Sequence, residues 1–258
     1  MTSGLLLALL SRDLRNRYNG SVAGALWLLL QPLMLLGVYA LVFGVVFRAS
    51  LGSTNTQVPY VAYIAVALWP WLAFSEAVLR GLMAVQQQGA LVKKVAFSSE
   101  TLVVSAVLAS FVVHIVGSVL VVLALAFTGI NIHMLGLPLY YGAFLALIVP
   151  ALGLALALSA TQVFVRDVEP VVQQLMTVAF YATPVLYSVS MVPDWLQSLV
   201  VLNPVGQIIE ASRAALLGVP GPDLASQAIA LSLLSFVLVL LAGRWVFSRL
   251  SPHFEDTL

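Results

Sequence analysis

Six long apolar stretches constrain what this sequence can fold into more than any other feature. Five of them reach the roughly 20 apolar residues that a helix needs to cross a bilayer, and the fifth in order is shorter. Only 8% of the 258 residues are charged, whereas soluble domains carry about 25%, so a soluble fold is excluded. A membrane β-barrel would require alternating apolar and polar residues, and these stretches are continuous. We therefore predict an all-α polytopic membrane protein with six transmembrane helices, at residues 26–47, 58–79, 101–127, 135–164, 171–187 and 228–247.

Lysine and arginine residues fall unevenly on the two sides of these predicted spans. Nine lie on the side that holds both termini, and two, Arg48 and Arg213, lie on the other. Basic residues accumulate on the cytoplasmic side of membrane proteins. We therefore expect a multi-pass membrane protein with both termini in the cytoplasm. The nine are Arg12, Arg15, Arg17, Arg80, Lys93, Lys94, Arg166, Arg244 and Arg249.

The cytoplasmic segments outside the spans are short. In residues 1–25, leucines recur at i, i+4 spacing and arginines lie largely elsewhere around the helix, which predicts an amphipathic helix in the inner membrane interface. The alternative is a simple basic anchor that sets topology. Residues 80–100 form a polar cytoplasmic loop with room for one short helix, and it carries Gln86, Gln87, Gln88, Lys93 and Lys94.

The outer segment 188–227 is too interrupted to span the membrane, and it predicts two short helices. Pro193 suits the first turn of one helix, while Asn203 followed by Pro204 is a cap and first turn for the next. Glu210 can pair with Arg213 one turn later. We predict a re-entrant helix pair that dips into the outer leaflet.

Motifs for catalysis are absent from the sequence. It has no nucleotide-binding glycine loop, no metal-spaced histidines and no cysteine. Glu76 and Arg80, at the inner end of the second span, form an i, i+4 pair that we interpret as mutual neutralisation. His114 lies near the middle of the third span, where an ionisable group is a functional candidate. The alternative, a neutral imidazole bonded to a neighbouring helix, is favoured because no second titratable group lies near the middle of any span.

Aromatic side chains form a stripe along the first span, at spacings of four or eight residues. Such stripes are more often packing, and some members suit the interfacial aromatic belt. Their flat faces also suit sugar rings, while hydroxyl and amide groups can bond sugar hydroxyls. On this hypothesis the substrate pathway contains Trp27, Gln31, Tyr39, Phe43 and Phe47 of the first span, Trp69 of the second and Tyr181 of the fifth.

An ordered set of motifs resembles the ABC-2-type permeases that export lipid-linked O-antigen and teichoic acid. The set runs through nearly the whole chain, and the order of the pieces is more specific than any one of them. One departure is Ser98, where the family commonly has proline. The motifs are the run 12–21 (RDLRNRYNGS) with Gly24, Trp27 and Gln31-Pro32, then 91–95 (LVKKV), 164–168 (FVRDV), 183–187 (TPVLY), 202–204 (LNP) and Glu210-x-x-Arg213.

The resemblance implies one membrane domain, residues 1–258, that forms a homodimer on two ATPase subunits. Those partners would bind the ATP and Mg, so we expect no enzyme activity and no cofactor or metal in this chain. The substrate would be a lipid-linked polysaccharide; the other contacts would be membrane lipids and no nucleic acid. The implied ATPase-coupling residues are Gln86, Gln87, Gln88, Lys93, Lys94, Arg166 and Asp167, and the implied outer gate contains Pro193, Trp195, Asn203, Pro204, Glu210 and Arg213.

Three alternatives stay open at this point. Lys93 and Lys94 can serve topology or contact anionic lipids. The same fold can export a small hydrophobic compound, with Tyr39 and Phe43 binding it. A proton-driven transporter would use His114 as its relay.

Overall fold

Every regular element that the structure describes is a helix. The computed structural model describes residues 2–17, 26–47, 58–89, 98–219, 221 and 227–254, and within these ranges there is no β-strand. The all-α prediction is therefore confirmed. The helices are α1 (Thr2–Asn16), α2 (Trp27–Tyr39), α3 (Tyr60–Gln87), α4 (Glu100–Phe127), α5 (Leu137–Ala146), α6 (Ile148–Phe164), α7 (Val168–Ala182), α8 (Asp194–Val201), α9 (Pro204–Leu217) and α10 (Gln227–Leu250).

The described residues contain four helical stretches that are long and apolar enough to cross a membrane. They are Tyr60–Gln87, Glu100–Phe127, Met134–Phe164 and Gln227–His253. A multi-pass membrane protein is therefore confirmed. The first predicted span is a shorter apolar helix, Leu30–Val46, and α7 in the fifth has only 15 residues. The total of six spans stays a prediction, because about 22 Å of helix falls short of a bilayer core of about 30 Å.

The centre of the molecule is made by α3, α4 and α6, α10 packs against α6 from outside, and small residues set how closely these helices approach. A Cβ atom on Gly81 would lie 2.5 Å from the Ala155 Cβ, so α3 approaches α6 at a distance that glycine permits. A Cβ atom on Gly243 would overlap the backbone of Gly153, which brings α10 against α6 in the same way. Small residues let transmembrane helices make close van der Waals contact.

Two helices lie at the periphery of this core and are only thinly packed. On α2, among the side chains that the structure describes, only Pro32 and Leu36 are buried. The helix continues beyond Tyr39 as a π-helical segment, Ala40–Val46, a rare geometry that often occurs at functional positions. On α7 only Val172 and Phe180 are buried. The two helices that the sequence assigns to the pathway therefore expose most of their surface.

The predicted helix pair of the outer segment is confirmed as α8 and α9, together with its end signals. The Asn203 side chain caps α9 by accepting from the backbone N–H groups of Val205 and Gly206, at 3.1 and 3.2 Å. Gly218 ends the helix in the left-handed region at φ +62°. A side chain there would also collide with the His133 ring, so glycine is required both by the backbone conformation and by the lack of space.

The predicted cytoplasmic loop begins later than expected. Helix α3 continues through Gln87, so the first part of residues 80–100 is helical, with Val85 buried among the neighbouring helices. Apolar Leu82 and Val85 extend the buried face of the helix beyond the point where charged Arg80 suggests an end. Lys93 and Lys94 lie outside the described residues, as does Tyr18.

Candidate functional site

A series of adjoining cavities runs from the C-terminal end of α3 along one side of the molecule. Its first cavity, about 730 Å3, lies between α1 and α3, and its second, about 500 Å3, lies between α1, α2, α3 and α4. Both are lined by Arg17, Leu79 and Arg80. A groove of about 310 Å3 between α2 and α7 then adjoins the second cavity at Leu35, Leu72 and Ser75. We call the first two cavities the inner cleft and the third the α2–α7 groove.

Glu76 is the centre of an ionic network in the inner cleft. Its Oε1 accepts from Arg17 at 2.9 Å and from Arg80 Nε at 2.5 Å, while its Oε2 lies 2.7 Å from His114 Nε2. The Arg17 side chain is only 4% exposed and also donates to the Ser110 hydroxyl at 2.9 Å. The network therefore ties the end of α1 to α3 and α4, and it encloses a guanidinium inside the helix bundle.

The network corrects one expectation and confirms two others. His114 does bond a neighbouring helix, and Glu76 does pair with Arg80. The expectation that no second titratable group lies near the middle of any span is wrong, because Glu76 of α3 lies 2.7 Å from His114 at the middle of the third span. Helix α3 continues for 11 residues, or about 16 Å at about 1.5 Å per residue, beyond Glu76.

The mouth of the inner cleft is held by residues of α1 and the end of α3. Arg12 donates to the Gln88 side chain. Burial raises the pKa of the Asp13 carboxyl above its ordinary value, although the neighbouring Arg12, Arg17 and Arg80 pull it down. Leu9 is buried, and α1 packs against α4. Helix α1 is thus built into the protein, which favours the amphipathic helix over a simple basic anchor.

The α2–α7 groove combines aromatic faces with polar groups. The Tyr39 ring stacks on the Phe180 ring at 5.8 Å between centroids, and Tyr181 lies beside them. Gln173, Thr177 and Tyr181, spaced by four residues, are all exposed along α7. Polar side chains within a membrane face the bundle interior or a water-filled cavity rather than lipid. This face of α7 therefore points to an aqueous or protein-lined space.

Gln162 joins the C-terminal ends of α3 and α6 to the start of α7. Its Nε2 donates to the Gln86 side chain at 3.0 Å and to the Arg166 carbonyl at 3.3 Å, and its Oε1 accepts from the Glu169 backbone N–H at 2.9 Å. These bonds bring Gln86 and Arg166 of the predicted coupling set together at the start of α7. Asp167 is the N-cap residue of that helix. Sequence reasoning missed Gln162 itself.

Arg213 joins helices in the same way at the opposite end of the molecule. Its side chain is 0% exposed and donates to the Tyr63 carbonyl at 3.1 Å, to the Pro184 carbonyl at 2.6 Å and to the Val185 carbonyl. It pairs with Glu210 at 2.5 Å, as the spacing predicts, and lies 3.7 Å from the centre of the Tyr63 ring. Helix α9 is therefore fixed to α3 and to the residues that follow α7.

Comparison with known proteins identifies the family. The ABC-2 type transporter family matches residues 4–217. The chain belongs to this family. A protein named O-antigen export system permease protein RfbA from Myxococcus xanthus is 32% identical over 99% of this chain and 95% of its own length. Two proteins of the same name from Klebsiella pneumoniae are 26% and 24% identical over 98% of this chain and 95% of theirs. The predicted resemblance is confirmed, and the chain is a transporter permease rather than an enzyme.

Six of the predicted pathway residues of this ABC-2 permease form three pairs in different places. Trp27 and Gln31 line the inner cleft, and Tyr39 and Tyr181 line the α2–α7 groove. The Phe43 and Phe47 rings contact each other with their planes tilted by 44° and their centroids 5.8 Å apart, and they continue the stripe along the π-helical segment. The pathway role of these six residues stays a prediction.

Trp69 requires a correction. Its side chain is buried between α3 and α4, with the indole against Gly117, where a Cβ atom would overlap it. It is therefore a packing residue, because the gap left by Gly117 accepts the ring, and the pattern of a single span does not reveal that gap. Sequence reasoning also missed Gln173 and Thr177, although their spacing to Tyr181 was a usable signal.

The predicted gate residues are positioned differently from one another. Asn203 and Arg213 are anchored, with Asn203 donating to the Thr183 hydroxyl at 2.9 Å. Trp195 and Pro193 are exposed at the start of α8, while Pro204 begins α9. Movement of this segment as a gate stays a prediction.

Proposed function

We propose that this chain is the membrane subunit that moves a lipid-linked polysaccharide of the O-antigen type outward across the bacterial inner membrane. The similarity to O-antigen export permeases over nearly the full chain supports this substrate class. The observation that carries the proposal is the α2–α7 groove, which joins aromatic rings and polar side chains into one surface continuous with the inner cleft.

The groove suits a sugar chain chemically. Tyr39 and Tyr181 offer flat faces to the C–H groups of sugar rings, while Gln173 and Thr177 can bond hydroxyls. A surface with both aromatic faces and hydrogen-bonding side chains can bind successive sugars of different identity, which a conduit for a polymer requires. A small hydrophobic compound would leave the polar side chains along α7 without hydrogen-bond partners and therefore fits this groove less well.

A homodimer would complete the conduit. The exposed surface of α2 is apolar, including Leu33, Met34 and Val38, and α7 beside it exposes Val171 and Val178. These two helices frame the groove and are thinly packed within one subunit. A second copy facing them would enclose the groove between two equivalent walls and shield its polar side chains from lipid.

ATP hydrolysis would come from two ATPase subunits docked at the cytoplasmic side, where both termini and nine basic residues are expected. In this arrangement the ATPases hold the ATP and Mg. The segment that includes Gln86, Gln87, Gln88, Lys93 and Lys94, together with Arg166 and Asp167, is the docking region. Gln162 then links that region to α7 through direct hydrogen bonds.

Export and assembly of the Tyr39→Ala variant test the proposal. We expect the chain to co-purify with an ATPase, and we expect its deletion to remove surface glycan. Tyr39→Ala should slow export by roughly two- to twelvefold, because a lost aromatic contact is worth about 0.5–1.5 kcal/mol, and it should leave the complex intact. Phe127→Ala, an exposed aromatic at the outer end of α4, is the matched control and should export normally.

Two results would contradict the proposal. One is a purified permease without any associated ATPase. The other is unchanged surface glycan with altered drug sensitivity in the deletion strain, which would indicate a small hydrophobic substrate.

A further inference from the structure

Positive charge exceeds negative charge in the inner cleft. Its lining carries three guanidinium groups, Arg12, Arg17 and Arg80, and two carboxyl groups, Asp13 and Glu76. The excess charge is not buried, because the Arg12 and Arg80 side chains reach solvent at the cleft while the buried Arg17 is paired with Glu76. The excess makes the cleft suitable for an anion.

The guanidinium groups are held in place while part of their donor capacity stays available. Arg80 bonds Glu76 through Nε, and its side chain is 49% exposed. Among the described residues, no group accepts a hydrogen bond from its two terminal nitrogens. Arg12 is similarly held by Gln88 and exposed at the mouth. Such preorganised forks match the geometry of phosphate oxygens.

The surroundings of these arginines are apolar on one side and lead to the sugar-compatible groove on the other. Leu79, Met83, Ala84 and Ala106 line the first cavity beside Arg12 and Arg80. The second cavity continues past Leu72 and Ser75 into the α2–α7 groove. An anion that carries a hydrocarbon chain at one end and sugar at the other would contact the arginines, the apolar lining of the first cavity and the α2–α7 groove.

We propose that the inner cleft binds the phosphate or pyrophosphate group that joins the glycan to its lipid carrier. This inference rests on the proposed function. Arg12 and Arg80 contact the phosphate oxygens, and Glu76 positions the Arg80 guanidinium by holding its Nε. Arg17, buried beside Glu76 and Ser110, adds to the positive electrostatic potential at this site. The glycan then extends from the phosphate into the α2–α7 groove.

Binding of a polyprenyl pyrophosphate to the permease–ATPase complex in phosphatidylcholine nanodiscs tests the inference. We expect saturable binding, weakened at least about tenfold by Arg80→Gln, because a charge-assisted bidentate contact is lost. Arg12→Gln should weaken binding in the same direction, and its exposed position makes it tolerant to change. Arg244→Gln is the matched control: it removes one arginine, 69% exposed on α10, from the same side of the membrane, and should change affinity less than about twofold.

Competing ligands separate the sources of the phosphate. Uncharged polyprenol, phosphatidylglycerol and inorganic pyrophosphate should each bind much more weakly than the polyprenyl pyrophosphate. Equal binding of polyprenol would overturn the inference in favour of an apolar groove. Equal binding of phosphatidylglycerol or of inorganic pyrophosphate would overturn it in favour of membrane phospholipid or of a free anion. Equal losses in all three arginine variants would reduce the effect to general surface charge and would also overturn it.

Failure of this inference is distinguishable from failure of the proposed function. A wild-type complex that exports glycan with ATP, yet binds the carrier as tightly after Arg80→Gln and Arg12→Gln, would overturn the phosphate site alone. A wild-type chain that neither binds an ATPase nor exports glycan would refute the proposed function instead.

Discussion

Arg213 shows how a single buried charge can hold a membrane protein together. Three backbone carbonyls and one carboxylate surround its guanidinium, and the Tyr63 ring covers one face. Replacing it with methionine, which preserves much of the volume, would leave those acceptors and the Glu210 carboxylate without a donor. We expect Arg213→Met to lower the free energy of unfolding by about 3 kcal/mol.

Thermal unfolding of the purified protein in detergent measures this effect. Arg249→Met is the control, because Arg249 also lies over an aromatic ring, that of Trp245 at 5.7 Å, but is exposed. Its loss should cost less than about 0.5 kcal/mol. Equal midpoint shifts in the two variants would show that the carbonyl contacts of Arg213 contribute little.

Interactions within one turn were predictable from sequence, and those between distant helices were not. The Glu210–Arg213 pair and the Asn203 cap follow from spacings of two or three residues. Glu76 and His114 are 38 residues apart, and Gln162 and Gln86 are 76 apart. A periodic pattern states which face of a helix is apolar but not which helix lies against it, so these contacts required the fold.

At the scale of elements, α7 is held by its two ends. Only Val172 and Phe180 are buried along its length, while Gln162 bonds its first turn and Arg213 bonds the Pro184 and Val185 carbonyls just beyond its last. Between these fixed points lies the polar stripe of the α2–α7 groove. A helix fastened in this way can pass a displacement of its first turn to the groove.

The Gln162→Leu variant tests that transmission. Leucine fills similar space but removes the hydrogen bonds to Gln86, Arg166 and Glu169. We expect the complex to assemble and hydrolyse ATP, with export slowed roughly five- to thirtyfold, corresponding to about 1–2 kcal/mol of lost coupling. The ratio of glycan exported to ATP hydrolysed in proteoliposomes measures it.

Thr161→Val provides the comparison for this variant. Thr161 neighbours Gln162 on α6, but its hydroxyl bonds the Ala157 carbonyl of the same helix. Its loss should leave the ratio unchanged. If Gln162→Leu exports as well as Thr161→Val, the link between the coupling region and α7 must lie elsewhere.

At the scale of the whole molecule, the sequence predicts six crossings, and four helical stretches among the described residues are long and apolar enough to span a membrane. The long spans were predictable from the sequence because the length of a continuous apolar run gives the length of the helix. The sequence could not settle the fifth, since α7 covers about 22 Å of a core of about 30 Å. The buried residues Thr183 to Leu186, which follow α7, supply the remaining length if the segment crosses.

The absence of cysteine from the sequence makes this topology directly measurable. Single cysteines at four exposed positions, Ser98, Thr128, Ser190 and Ser248, report their side through a membrane-impermeant maleimide applied to spheroplasts. With six spans and nine basic residues inside, we expect Thr128→Cys and Ser190→Cys to be labelled at once. Ser98→Cys and Ser248→Cys should be labelled only after permeabilisation.

Each pair of positions examines a different crossing. Ser98 and Thr128 bracket α4, and Ser190 and Ser248 bracket α10, so labelling on opposite sides is expected for each pair. Thr128 and Ser190 bracket the fourth and fifth spans together and should share a side. Labelling of Ser190→Cys from the inside, with Thr128→Cys outside, would mean that α7 turns back within the membrane. The α8–α9 pair would then lie on the cytoplasmic side, where it could not act as an outer gate.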